Sequence, residues 1–190
     1  MQLIQYLPFV AAALGLGVVS QTGEAGVTSR IFYTTNGCGG TPDFMEMQQT
    51  ATCFDASCGT SVAYNVPVLS SISCSTDQYT HAAFLFGSVP YVLADQYADE
   101  NCQVYTGFSS AMRANEDCVP TSAATSRTML LNANGTVTST VYLKSNNCDK
   151  RSVYVETLYD PSNFKNSICE KGKLGNFVYY NTAYPSPHLV

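Results

Sequence analysis

The chain has 190 residues, enough for one domain of ordinary size, and its formal net charge is −5. This negative balance argues against a nucleic-acid or other phosphate-binding surface, and no nucleic-acid partner is expected. Only 12% of the residues are charged, about half the usual share, while hydroxyl and amide side chains are abundant. We interpret this as an extracellular rather than a cytosolic composition.

Residues 1–20 are interpreted as a secretory signal peptide. The apolar stretch LPFVAAALGLGVV has the length of a signal-peptide core and is too short to cross a bilayer comfortably. The small residues Val18 and Ser20 predict cleavage after Ser20, and Gly23 with Ala25 offers a second site. A buried or membrane-anchoring helix is the alternative interpretation of this stretch. We therefore expect a secreted protein with no membrane span in its mature chain.

Eight cysteines follow this leader, and they predict a disulfide framework because disulfides persist outside the cytosol. Pairing neighbours along the chain encloses 14, 15, 15 and 20 residues, and each such bridge stabilises by about 3 kcal/mol in the loop-entropy model. Crossed pairing of the first four cysteines, Cys38–Cys58 with Cys53–Cys74, is the alternative. The predicted pairs, in sequence order, are Cys38–Cys53, Cys58–Cys74, Cys102–Cys118 and Cys148–Cys169.

The sequence contains no cluster typical of a metal site. No two cysteines have Cys-x-x-Cys spacing, and the two histidines, His81 and His188, lie far from any close pair of cysteines. We therefore predict neither a metal ion nor another cofactor.

The predicted elements are short β-strands between Gly, Pro, Asn and Asp turns. A helical turn or two is expected only within residues 44–53 and 108–118. Residues 21–190 are accordingly predicted to form a single all-β domain, a disulfide-stapled sandwich or barrel-like fold built of short antiparallel hairpin units. The strand candidates, in chain order, are residues 29–33, 60–69, 79–86, 89–97, 136–143, 152–159 and 176–181.

The dipeptide Asn134-Gly135 is a strong hairpin signal, because a type I′ turn needs positive φ at both central residues. Residues 129–131 form the incoming strand and residues 136–143 the outgoing one, with Val137, Val141 and Leu143 on one face. The same dipeptide begins the sequon Asn134-Gly135-Thr136, so Asn134 is also a predicted N-glycosylation site on the hairpin tip.

Three segments share an order of strand residues, a Tyr, a short polar stretch and a Cys. They are residues 33–38, 97–102 and 142–148. This regularity favours internal repeats, in which a strand runs into a polar turn and then a disulfide.

The first of these segments continues for four residues beyond Cys38, and the next cysteine is Cys53. The full run is Tyr33-Thr34-Thr35-Asn36-Gly37-Cys38-Gly39-Gly40-Thr41-Pro42. It resembles the Tyr-x-x-x-x-Cys-x-Gly-x-Pro…Cys pattern of cysteine-rich secreted repeat proteins from oomycetes and social amoebae. The resemblance covers about twenty residues. It implies a non-enzymatic surface, matrix or host-interaction role and names no ligand.

No catalytic residue is predicted. The segment Gly59-Thr60-Ser61-Val62-Ala63 approximates a nucleophile elbow but has Ala where the second Gly is expected. Ser61, His81 and Asp95 can be combined into a triad, which would make the protein a small secreted serine hydrolase. Because His81 lies in a predicted strand, a place on a strand face explains it better than catalysis does.

We therefore expect an extracellular binding or host-interaction module, whose partner is a protein or a glycan. A structural component of a cell surface or matrix is the alternative. In a binding module, exposed tyrosines serve as flat amphipathic contacts. The tyrosines predicted for this role are Tyr91, Tyr97, Tyr105, Tyr179 and Tyr180.

Overall fold

The computed structural model describes residues 26–34, 37–63, 66–172 and 175–187. The predicted signal peptide and His188 lie outside these residues. Within them, the elements follow in the order β1 (Gly26–Tyr33), β2 (Phe44–Thr50), β3 (Ala56–Ala63), β4 (Val66–Ser75), α1 (Gln78–Phe86), β5 (Tyr91–Tyr97), β6 (Tyr105–Arg113), β7 (Val119–Ser122), β8 (Thr125–Leu131), β9 (Val137–Leu143), β10 (Val153–Tyr159), α2 (Pro161–Lys165), β11 (Glu170–Gly172) and β12 (Gly175–Asn181).

The described strands form two antiparallel sheets, which confirms the all-β prediction. The larger sheet has the order β11-β12-β5-β6-β2-β1-β4-β3, and the smaller one has the order β10-β9-β8-β7. The smaller sheet is a simple meander. In the larger sheet, by contrast, the centre is built from strands far apart in the chain, since β12 pairs with β5 and β6 pairs with β2.

Both faces of the larger sheet are partly buried. Neighbouring residues of a strand point to opposite faces, so a single strand contributes to the packing on both sides. On β5, Leu93 belongs to a core cluster that α1 covers with Tyr79 and Phe86. The preceding residue, Val92, belongs to a second cluster on the other face, where the smaller sheet contributes Met129. The two sheets therefore pack against each other over the second cluster.

Helix α1 corrects the prediction of a strand at residues 79–86. Asp77 precedes the helix as its N-cap, with its carboxylate accepting a hydrogen bond from the Thr80 backbone N–H at 2.6 Å. Gly87 ends the helix with a φ of 56°. These two boundary residues are favoured at helix ends. The expected helical turns are also wrong, because residues 44–50 form β2 and residues 105–113 form β6.

All eight cysteines are oxidised, as predicted, but the pairing in sequence order is wrong. The bridges join Cys38–Cys58, Cys53–Cys74, Cys102–Cys169 and Cys118–Cys148, with Cα–Cα distances of 5.6 to 5.8 Å. The first two bridges are the crossed alternative. Sheet topology decides the pairing: β1, β4 and β3 lie side by side, and β5 lies beside β12, so cysteines near these strands meet although they are not neighbours in the chain.

The predicted hairpin between β8 and β9 is present, with Leu131 opposite Val137. Its turn is not type I′. Asn132 donates its backbone N–H to the Thr136 carbonyl, and of the turn residues only Gly135 has positive φ, at 83°. This is the longer hairpin loop in which a single glycine takes the left-handed conformation. Asn134 is exposed at the tip, and its glycosylation stays a prediction.

Replacing Gly135 by valine is expected to destabilise the protein by about 2 kcal/mol or more, because a β-branched residue strains at positive φ. A Cβ at this position also meets the Tyr184 ring at 3.0 Å. The control Asn134→Gln removes only the hydrogen bonds from Thr136 to the Asn134 carboxamide. Urea unfolding of protein made in a host without N-glycosylation measures both variants. Equal unfolding midpoints for Gly135→Val and the parent protein would contradict the hairpin geometry.

Candidate functional site: a groove between the sheets

Two small residues create a depression in the face of the larger sheet that is turned toward the smaller sheet. Ala94 on β5 lies directly opposite Ser110 on β6. On the outer sides of this pair, Tyr179 of β12 is opposite Ala94, and Glu46 of β2 is opposite Ser110. The floor is therefore low in the middle and rises toward larger side chains on both flanks.

A cavity of about 410 Å³ occupies this depression. Four aromatic side chains line it: Phe44, Phe108, Phe177 and Tyr179. The polar lining consists of Glu46, Gln96, Ser110 and Arg127. Arg127 and Met129 belong to β8, so the smaller sheet supplies part of the wall.

A second cavity, of about 230 Å³, adjoins the first and shares Phe44, Met112 and Arg127 with it. Its other lining residues include Phe32 of β1 and Val119 of β7. Because the shared residues stand at the junction, the two cavities form one groove that crosses the strands of the larger sheet. We call this feature the inter-sheet groove.

The larger cavity carries one acidic and one basic side chain, Glu46 and Arg127, and the second cavity adds Asp43, whose carboxylate is paired with Arg113. The Nε of Arg127 donates a hydrogen bond to the hydroxyl of Ser139 at 3.0 Å, which restrains the guanidinium group. Tyr179 stays a neutral hydrogen-bonding group, because burial, followed by the nearby Tyr159 and Glu170, raises the pKa of its hydroxyl far above the usual value. The lining of the larger cavity thus offers hydrogen bonds without a net charge.

Of the five tyrosines predicted as binding contacts, only Tyr179 lines the groove. Tyr91 and Tyr180 are each 6% exposed and belong to the core beneath α1. The rings of Tyr97 and Tyr105 pack against each other with centroids 5.7 Å apart. The burial of Tyr91 and Tyr180 corrects the expectation that they are exposed contacts, whereas Tyr97 and Tyr105 are partly exposed and their role stays a prediction.

A sequence pattern on β2 could have indicated part of the groove. On β2, the core residues Met45 and Met47 alternate with Phe44 and Glu46, so an aromatic and a polar residue share the opposite face. Such a mixed face is a signal for a surface that is neither core nor ordinary solvent-exposed sheet. No local sequence pattern predicts that Arg127 lines the groove, because Arg127 belongs to the other sheet.

The residues of the hypothetical triad are not hydrogen-bonded to one another. The Ser61 hydroxyl accepts a hydrogen bond from Ser70 at 2.8 Å. Asp95 is 1% exposed, and its carboxylate accepts hydrogen bonds from the hydroxyls of Tyr79 and Ser109. His81 lies on α1, and its Nε2 has no hydrogen-bond partner among the described residues.

Burial lowers the pKa of His81, and the carboxylate of Asp55 offsets this effect only in part. The unfolded chain therefore binds a proton more readily than the folded protein does between about pH 6.5, the ordinary value, and the lower folded pKa. Stability is expected to fall as the pH drops through this window. His81→Gln should flatten that slope, measured by urea unfolding between pH 5 and 8. An unchanged slope would contradict the burial of a neutral imidazole.

Among the described residues, no group of three or more His, Cys, Asp or Glu side chains is arranged to hold a metal ion. Nor does the described part of the chain contain a helix long and apolar enough to span a membrane. Comparisons with protein-family models, curated proteins and solved structures gave no match for this chain. The resemblance to cysteine-rich secreted repeat proteins stays a prediction.

Proposed function

We propose that the protein is an extracellular, non-enzymatic binding module that holds its ligand in the inter-sheet groove. The groove itself is the observation that carries this proposal. Its larger cavity, about 410 Å³, falls within the range of about 300–1,000 Å³ that is usual for ligand sites, and it combines an aromatic lining with a few polar groups.

Two further observations support the proposal. Four disulfides, which include all eight cysteines, are compatible with an extracellular location. The side chains of Ser61 and Asp95 are engaged in separate hydrogen bonds, and a nucleophile without a base beside it is a weak catalyst. The first point supports the proposed location, and the second favours recognition over turnover.

Filling the floor of the groove should abolish binding. Ala94→Phe places a ring in the depression opposite Ser110, whereas Ala123→Phe makes the same change in the exposed turn between β7 and β8. The secreted protein and both variants are screened by calorimetry against panels of oligosaccharides, peptides and lipids. We expect one class of ligand to bind the parent and Ala123→Phe, and not Ala94→Phe. Binding that survives in a folded Ala94→Phe variant would refute the groove as the site.

A structural component of a surface or matrix is the second candidate, and strand β10 favours it. This strand is the edge of the smaller sheet, and Tyr154 and Leu158 are 68% and 66% exposed. An exposed apolar edge strand is able to pair with another chain. Assembly of copies through this edge predicts a concentration-dependent mass in sedimentation velocity, which Leu158→Lys should remove. A monomer at all concentrations would rule out this candidate.

A further inference from the structure

The floor of the inter-sheet groove offers hydrogen bonds from side chains alone. Strands β12, β5, β6 and β2, which form it, each pair with a neighbour on both sides. A peptide that binds by adding a strand to a sheet needs free backbone donors and acceptors along a sheet edge. The groove lies on the face of the sheet, so this mode of peptide binding is not available there.

The polar groups of the larger cavity are a carboxylate, a carboxamide, a hydroxyl and a guanidinium, from Glu46, Gln96, Ser110 and Arg127. Carboxylate, carboxamide and guanidinium groups are planar and form hydrogen bonds through two atoms side by side. Adjacent hydroxyl groups on a sugar ring match this geometry. An acyl chain, in contrast, offers no hydrogen-bonding groups to this polar lining.

The charges of the groove disfavour an anionic ligand. Glu46 supplies one negative charge and Arg127 one positive charge to the lining of the larger cavity, and the second cavity adds only the carboxylate of Asp43, which is paired with Arg113. The whole chain is acidic, with a formal net charge of −5. A phosphate or polyuronate ligand would find no excess of positive charge here, whereas a neutral ligand does not require one.

Aromatic side chains stand on both flanks of the depression. Phe177 and Tyr179 on β12 stack with ring centroids 6.0 Å apart, and Phe44 on β2 stacks with Phe32 of β1 at 5.7 Å. Three strand spacings separate β12 from β2, which amounts to about 14 Å. One six-membered ring is shorter than this separation, so a ligand that contacts both flanks contains more than one ring.

We propose that the ligand of the inter-sheet groove is a neutral oligosaccharide of at least two sugar rings, a statement that rests on the proposed binding function. The apolar faces of the sugar rings pack against Phe177 and Tyr179 at one flank and against Phe44 at the other. Their hydroxyl edges bond to Glu46 and Arg127.

The test uses isothermal titration of the secreted protein with neutral hexasaccharides of glucose, mannose and N-acetylglucosamine. Oligogalacturonate, a peptide mixture and a fatty acid are the comparison ligands. Phe177→Ala removes one of the two aromatic rings of the β12 flank, and Phe84→Ala is its matched control, because Phe84 lies on α1 and is 81% exposed. Thermal unfolding establishes that each variant is folded, and Ser110→Phe replaces Ala94→Phe if the latter does not fold.

We expect at least one neutral hexasaccharide to bind, about tenfold more weakly to Phe177→Ala, as tightly to Phe84→Ala, and not at all to Ala94→Phe. Binding of only oligogalacturonate, peptide or fatty acid, blocked by Ala94→Phe, would overturn the oligosaccharide and leave the groove as the binding site. If no ligand binds, or if no binding is blocked by Ala94→Phe, both the oligosaccharide and the proposed function are wrong.

Discussion

Replacing Arg113 by methionine is expected to lower the free energy of unfolding by about 3–5 kcal/mol, the range for a buried ion pair that loses one partner. Arg113 at the end of β6 contacts Asp43 at 2.6 Å, and the side chains are 13% and 3% exposed. Without the guanidinium, the Asp43 carboxylate stays buried and still accepts hydrogen bonds from the backbone N–H and the hydroxyl of Thr34, but its charge is no longer balanced. Arg113 also donates to the carbonyls of Thr41 and Pro42, so the segment before β2 is released as well.

The measurement is urea unfolding with the disulfides intact. Arg151→Met is the matched control, because Arg151 forms its ion pair with Asp149 while 89% exposed, and exposed pairs contribute little. The double variant Asp43→Leu/Arg113→Met should recover much of the loss, since no unpaired charge is then buried. A single variant as stable as Arg151→Met would show that Asp43 and Arg113 are not paired in solution.

Replacing Asp95 by alanine is expected to cost about 3 kcal/mol, because hydrogen bonds to a buried charged group contribute about 1.5–3 kcal/mol each. The Asp95 carboxylate is the common acceptor for the hydroxyls of Tyr79 on α1 and Ser109 on β6. Burial and the Asp95 charge also raise the pKa of Tyr79 far above its usual value. Asp95 therefore joins the helix to the sheet across the core.

A double-mutant cycle separates this role from a simple loss of packing. Asp95→Ala and Tyr79→Phe each remove the same hydrogen bond, so the combined variant should lose less stability than the sum of the two. Additive effects, measured by urea unfolding, would mean that the two groups are not coupled. Tyr142→Phe, in the smaller sheet, is the control that should add independently to Asp95→Ala.

Local patterns predict much of the fold correctly. The strands at residues 89–97, 136–143, 152–159 and 176–181 agree closely with β5, β9, β10 and β12. Their β-branched and aromatic residues favour extended backbone wherever they lie. In the three repeated segments, a strand ends close to Tyr33, Tyr97 or Tyr142 and a cysteine follows in the next loop. Whether these segments are true repeats stays a prediction.

The helix was missed because apolar pattern alone does not separate a short buried helix from a strand. Residues 79–86 form a short, mostly apolar run, and the residues that mark it as a helix are the flanking Asp77 and Gly87. The pairing of the cysteines was missed for a different reason. Cys102 and Cys169 meet only because β12 returns to lie beside β5, a contact between distant parts of the chain.

The sequence by itself determined the properties that depend on composition and near neighbours: the acidic charge, the mainly β character, the expected oxidation of the cysteines and the hairpin at Gly135. The tertiary structure alone decided the disulfide pairs, the burial of Tyr91 and Tyr180, and the inter-sheet groove. Ala94 and Ser110 are ordinary strand residues until β5 and β6 place them side by side. Arg127 reaches the same groove only because the smaller sheet packs over it. The physical reason is that side-chain identity sets local backbone preference, whereas a binding surface depends on which strands become neighbours.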